Sequence, residues 1–237
     1  MGLVRDPLAD LRRRLGRTRR TPAQLRAIVR RWWRAQGFAE LPDAVGKRVA
    51  CALLEKRGSL KHAGIVMLAD PLGDSLRASD LASFERLYAA GQFSAAADND
   101  AFATGVLGRL LAREDGRLEV LRALVAWREA STADQRRAAC IALATLAPEG
   151  DAAAGVVDAI LVVCAAIVWS PNEIDHSAVG DVLRELSRAE PLMVEAFFRR
   201  YARFLSPACA RRAISRLPAA KRTELLAHHK RATTLRR

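Results

Sequence analysis

The stretch TPAQLRAIVRRWWRAQG, residues 21–37, decides the fold class. Thr21 followed by Pro22 is a helix start: the threonine oxygen can accept from an unpaired amide of the first turn, and proline there gives up an N–H that has no partner anyway. Leu25, Ile28, Val29 and Trp32 then recur at helical spacing, with Arg26, Arg30, Arg31 and Arg34 mostly on the other faces, and Gly37 marks the stop. The same punctuation continues along the chain. Residues 42–57 read as the next helix, closed by Gly58, and Ser79 reads as the cap of a helix running to Gly91 with Leu81, Phe84, Leu87 and Tyr88 as its stripe. Ser206-Pro207 opens another helix, ending near Pro218. The pattern predicts about a dozen helices joined by short connections.

Composition agrees. Ala, Leu and Arg dominate, aromatics are only 5%, and no β-branched run alternates with period two, so the expected class is all-α. A chain of 237 residues can bury a full core and is expected to be a single domain over residues 1–237, with N-terminal helices over 1–78, paired helices over 79–230 and a basic tail at 231–237. Residues 80–112, 115–148, 151–188 and 190–217 divide into two-helix units of about 35 residues, the period of HEAT-like repeats. Such units stack into a curved solenoid with a long concave face. A compact, non-repeating bundle satisfies the same periodicity.

The net charge of +13 is unevenly placed. Residues 1–34 hold 11 Arg against Asp6 and Asp10, a balance of +9; residues 35–174 balance at −4; residues 175–237 balance at +8. If both ends face one ligand, they make a surface for a polyanion. Arginine usage raised by codon bias gives the same excess. Cys51, Cys140, Cys164 and Cys209 are scattered in apolar helical contexts and read as buried thiols of a reducing compartment, with neither zinc site nor disulfide framework. The Arg-rich N-terminus has no apolar segment of a secretory signal. The apolar stretch 152–169 is broken by Gly155 and Asp158 and reads as a buried helix rather than a membrane span. His228-His229 reads as a surface feature of a basic helix, without a third ligand for a metal.

Three segments carry a further signal. Asn99-Asp100-Ala101-Phe102 precedes Leu107-Gly108; Trp127-Arg128-Glu129-Ala130 precedes Gln135-Arg136-Arg137-Ala138-Ala139; and Val179-Gly180-Asp181-Val182-Leu183-Arg184-Glu185-Leu186 follows. In order and spacing they resemble the bacterial HEAT-repeat alkylpurine DNA glycosylases of the AlkD type. The likeness covers most of the chain from about Ser79 to Lys230 and is weaker before it.

The resemblance implies an all-α stack of HEAT-like repeats forming a curved single-domain solenoid with a concave basic face. It also implies a cytoplasmic, monomeric protein that binds duplex DNA carrying alkylated purines, without cofactor, metal or membrane. Asp100 then matches the catalytic carboxylate, and Arg137, with Arg136 beside it, matches the arginine that holds the DNA backbone. A carboxylate suits a reaction that builds cationic character on the sugar, and an arginine suits a phosphate. On residue types alone, Asp100 after Asp98 and Asn99 reads as the cap of a helix beginning near Ala101. Arg184 and Glu185 read as a structural ion pair.

Three positions depart from the family pattern. Where the family has tryptophan, this chain has Ala96, Asp134 and Asp181. In the family the first and third of these aromatics pack against the lesion-bearing nucleotide. Their loss removes about 1–2 kcal/mol of cation–π attraction per contact where the site is dry. The change implies either a wider site that releases bulky adducts or a non-catalytic protein that recognises or shields damaged DNA.

Overall fold

The computed structural model describes residues 6–16, 20–152 and 155–234. Arg5, Arg17 and Arg19 of the N-terminal basic block, and residues 235–237 of the basic tail, lie outside the described residues. Every regular element among the described residues is helical. In chain order they are α1 (Pro7–Leu15), α2 (Pro22–Ala35), α3 (Asp43–Leu54), α4 (Ser59–Ala69), α5 (Leu81–Ala89), α6 (Ala96–Phe102), α7 (Gly108–Ala112), α8 (Arg117–Ala126), α9 (Ala133–Ala144), α10 (Val156–Ile167), α11 (Glu173–Leu186), α12 (Pro191–Tyr201), α13 (Pro207–Ala213) and α14 (Ala219–Thr234). They divide into two compact units, Met1–Leu110 and Leu111–Arg237.

In the first unit, α2 begins as its sequence requires. Thr21 accepts from the Gln24 amide at 3.2 Å, and Gln24 returns the bond to the Thr21 amide at 3.0 Å. Trp32, wholly buried, donates from its indole to the Pro7 carbonyl at 3.2 Å and ties α1 to α2. Gly64 lets α4 lie close on α3, since a Cβ there would stand 2.8 Å from the Ala50 carbonyl oxygen. Phe84, Tyr88, Phe93 and Phe102 form an aromatic cluster that packs α5 against α6. Ser79 is not the cap of α5. A short 3-10 turn, Ala78–Asp80, precedes that helix, because the Asp80 carboxylate turns back to accept from the Arg77 amide and from Lys47.

In the second unit, α8/α9, α10/α11 and α12/α13 are successive pairs at the predicted spacing, followed by α14. Helices α9, α11 and α13 pack side by side, α8 lies on α10, and α12 on α14. Gly180 permits the α11–α13 contact: a Cβ there would sit 3.3 Å from the Cys209 carbonyl oxygen. The helix opened by Ser206-Pro207 stops at Ala213, short of Pro218, and Arg222 donates to the Ser215 and Leu217 carbonyls of the turn that follows. Helix α10 is the buried helix expected within residues 152–169, and no described helix is long and apolar enough to cross a membrane.

All four cysteines are free thiols, three of them buried. Burial, with the charges of Glu173 and Asp181, pushes Cys209 up to about 12, and a hydrogen bond with Cys140 plus burial raises Cys164 well above the ordinary thiol value. His229 is not a surface residue. It is 7% exposed, with Nε2 3.0 Å from the Leu205 carbonyl oxygen, because α14 turns that side onto α12 and the turn after it.

Candidate nucleic-acid interface

In the first unit, α6 begins at Ala96, and no side chain caps it. Asp100 is therefore the fifth residue of a helix and not a cap for one starting near Ala101; the chain has already turned helical. Successive residues on a helix are about 100° apart, and three faces of α6 are put to different uses here. Asn99 is wholly buried and accepts from the Tyr88 hydroxyl at 2.8 Å. Asp98 turns to α4, 3.2 Å from His62 Nε2 and 4.0 Å from Lys61 Nζ. Asp100 stays partly exposed. Ala96, exposed, stands one turn before it on the same face, so only a methyl group occupies the position that would wall that side of the carboxylate. Beyond Phe102 the helix widens into a π turn over Ala103–Leu107, a form often found at functional sites.

In the second unit, Asp134, Arg136 and Arg137 meet at the start of α9, which Thr132 caps by accepting from the Gln135 amide. Arg136 reaches across to α11. Its Nη2 and Nε lie 2.6 and 3.2 Å from Asp175 Oδ2, and its Nη1 donates to the Ala130 carbonyl at 2.7 Å. Asp175 is fully buried, and its other oxygen has no hydrogen-bond partner. Arg137 is 6% exposed and donates to the Ile174 carbonyl at 3.4 Å, a long bond. Burial raises the Asp134 carboxyl above its ordinary value; the Arg137 charge opposes the rise and the Asp175 charge adds to it.

Asp175 is the member of this group that motif reasoning missed. Its signal was the spacing Asp175, Ala178, Val179, Val182, which puts the carboxylate on the buried stripe of α11. An acid at such a position requires a cation from a neighbouring helix.

Further along α11, Asp181 pairs with Arg212 of α13, so its charge is already matched within the fold. Beside that pair is a depression of about 360 Å³ lined by Glu173, Ser177, Ser206, Ala208, Cys209, Arg211 and Arg212. Glu185 joins Arg184 at 2.8 Å and Arg216 at 2.5 Å, the structural pair expected from sequence, extended to the turn after α13. Burial works against the Glu185 charge, but the two arginines outweigh it and hold the carboxyl below its ordinary value.

Asp134, Arg136 and Arg137 thus form one cluster and Asp181 a second on the same α9–α11–α13 layer, while Ala96 and Asp100 belong to the other unit. A family model described as DNA alkylation repair enzyme matches residues 20–217. No curated protein and no solved structure matches the chain.

Proposed function

Because the chain belongs to the family of DNA alkylation repair enzymes, we propose that it binds duplex DNA and is a divergent DNA glycosylase releasing bulky alkylated purines. The observation that carries this reading is Asp100: a partly exposed carboxylate inside α6, with Ala96 one turn before it. We place it as a cytoplasmic monomer built of HEAT-like repeats.

An alkylated purine is cationic and leaves readily. As the bond between sugar and base breaks, its electron pair goes to the purine, which departs neutral, and positive charge develops on the sugar. Asp100 stabilises that charge; water adds to the sugar carbon and gives its proton to the carboxylate or to solvent. Arg137 holds a backbone phosphate near the lesion, with Arg136 beside it. For this the Ile174 carbonyl has to yield its 3.4 Å bond. Ala96 leaves room for a bulky adduct.

The second reading is a protein of the same fold that binds damaged DNA without cutting it. It is favoured by Asp134 and Asp181, which stand in place of aromatics and interact with Arg137 and Arg212 instead. Incubation with duplex DNA carrying a methylated or a bulkier purine, scored for abasic sites, separates the two. Abasic sites on the bulky substrate support the glycosylase; tight binding without them supports the second reading.

A further inference from the structure

Three of the four tryptophans are inside: Trp32, Trp33 and Trp127 are 0%, 7% and 3% exposed. Trp169 is 58% exposed, in the turn between α10 and α11. A bare indole forgoes the burial that drives the other three inward. Its surroundings are nevertheless built. The ring packs on Phe204, in the turn between α12 and α13, with centroids 3.8 Å apart. The Arg203 guanidinium lies 4.4 Å from the Phe204 ring, and Arg200 lies 5.5 Å from Tyr201 in the same segment.

His176 holds both turns. It is 7% exposed, with Nε2 2.9 Å from the Ser170 carbonyl oxygen, while the Ser206 amide donates to Nδ1 at 3.3 Å. A carbonyl only accepts, so Nε2 carries the ring proton and Nδ1 is bare. One imidazole on α11 therefore fixes the residue after Trp169 and the residue two beyond Phe204. Trp169 precedes Ile174, whose carbonyl accepts from Arg137, by five residues, which limits the separation of Trp169 and Ile174 to about 17 Å.

We propose that Trp169, backed by Phe204 and Arg203, is a stacking platform for an unpaired nucleobase of the bound DNA. The inference rests on the DNA-binding reading above and deepens it, supplying an aromatic contact that positions 96, 134 and 181 lack. An aromatic face accepts any base, and the arginines around it suit the phosphates that accompany one. A purely apolar protein partner would have to strip water from those arginines.

The test uses the full chain at low salt, with a duplex carrying one bulged adenine, the fully paired duplex, and inorganic polyphosphate as a charge-only probe. The bulged duplex quenches wild-type tryptophan emission more than polyphosphate does. Trp169→Phe loses that quenching but keeps most of the affinity, since phenylalanine still packs on Phe204 and still stacks. Trp169→Ala loses roughly fivefold to 150-fold in affinity for the bulged duplex, the worth of one base–aromatic stack. Its affinity for polyphosphate stays level, which shows that the loss is not one of folding. Equal losses on all three probes, or quenching that persists in Trp169→Phe, overturn the platform while leaving DNA binding in place. Absence of binding to any DNA overturns both the platform and the reading beneath it.

Discussion

Replacing Asp175 by alanine tests whether its buried pair with Arg136 fixes the start of α9 against α11. Asp175 is 0% exposed and the Arg136 side chain 19%, and both nitrogens that face Asp175 bond a single oxygen. Removing one member of a fully buried pair strands the other and costs about 3–5 kcal/mol. Two features reduce that here. Arg136 keeps its bond to the Ala130 carbonyl at 2.7 Å, and Asp175 Oδ1, without a partner, already carries a desolvation penalty that the deletion removes. The expected loss is therefore about 2–3 kcal/mol. At about 2–4 °C per kcal/mol for a chain of this size, the thermal midpoint falls by about 4–12 °C. Calorimetry or circular dichroism reads it directly. The double variant Arg136→Met with Asp175→Leu recovers most of the loss, because no charge is left stranded. A drop below about 2 °C for Asp175→Ala, or a double variant no better than the single, refutes the reasoning.

A raised carboxyl pKa means that folding takes up a proton, so the contribution of Asp134 to stability falls as pH rises from the ordinary value of 3.8 through the raised one. Asp134→Asn removes that loss: its thermal midpoint gains on wild type between acid and neutral pH, and an offset that stays constant across that range contradicts the assignment. Asp181→Trp releases Arg212 and adds an aromatic face, so affinity for duplex DNA bearing a cationic methylpurine rises by about fivefold to thirtyfold, the worth of about 1–2 kcal/mol of cation–π attraction. A titration in which lesion-bearing and unmodified DNA respond alike shows that residue 181 does not face the lesion.

The helical class was legible because it depends on neighbours in sequence. Thr21 and Gln24 cap α2 three residues apart, and apolar spacing marks the pairs α8/α9, α10/α11 and α12/α13. The failures are of two physical kinds. Ser79 and Asp100 carry cap-type side chains at places where the chain was already turning, so residue preference alone misplaced the helix starts. Asp181 with Arg212, Arg136 with Asp175, and His229 with the Leu205 carbonyl join residues 24–39 apart, and no local pattern announces such partners. Asp181 therefore read only as a lost aromatic. In the structure its charge is answered by an arginine that its removal would release.

Single-turnover base release from duplex DNA carrying a bulky alkylated purine, by wild type and by Asp100→Asn, tests the central claim most directly. The amide keeps the size and helix position of the carboxylate but loses its charge. The account predicts unchanged DNA affinity and thermal midpoint with base release down about a hundredfold or more, the scale of removing one electrostatic group aimed at a transition state. Equal release by the two proteins contradicts it.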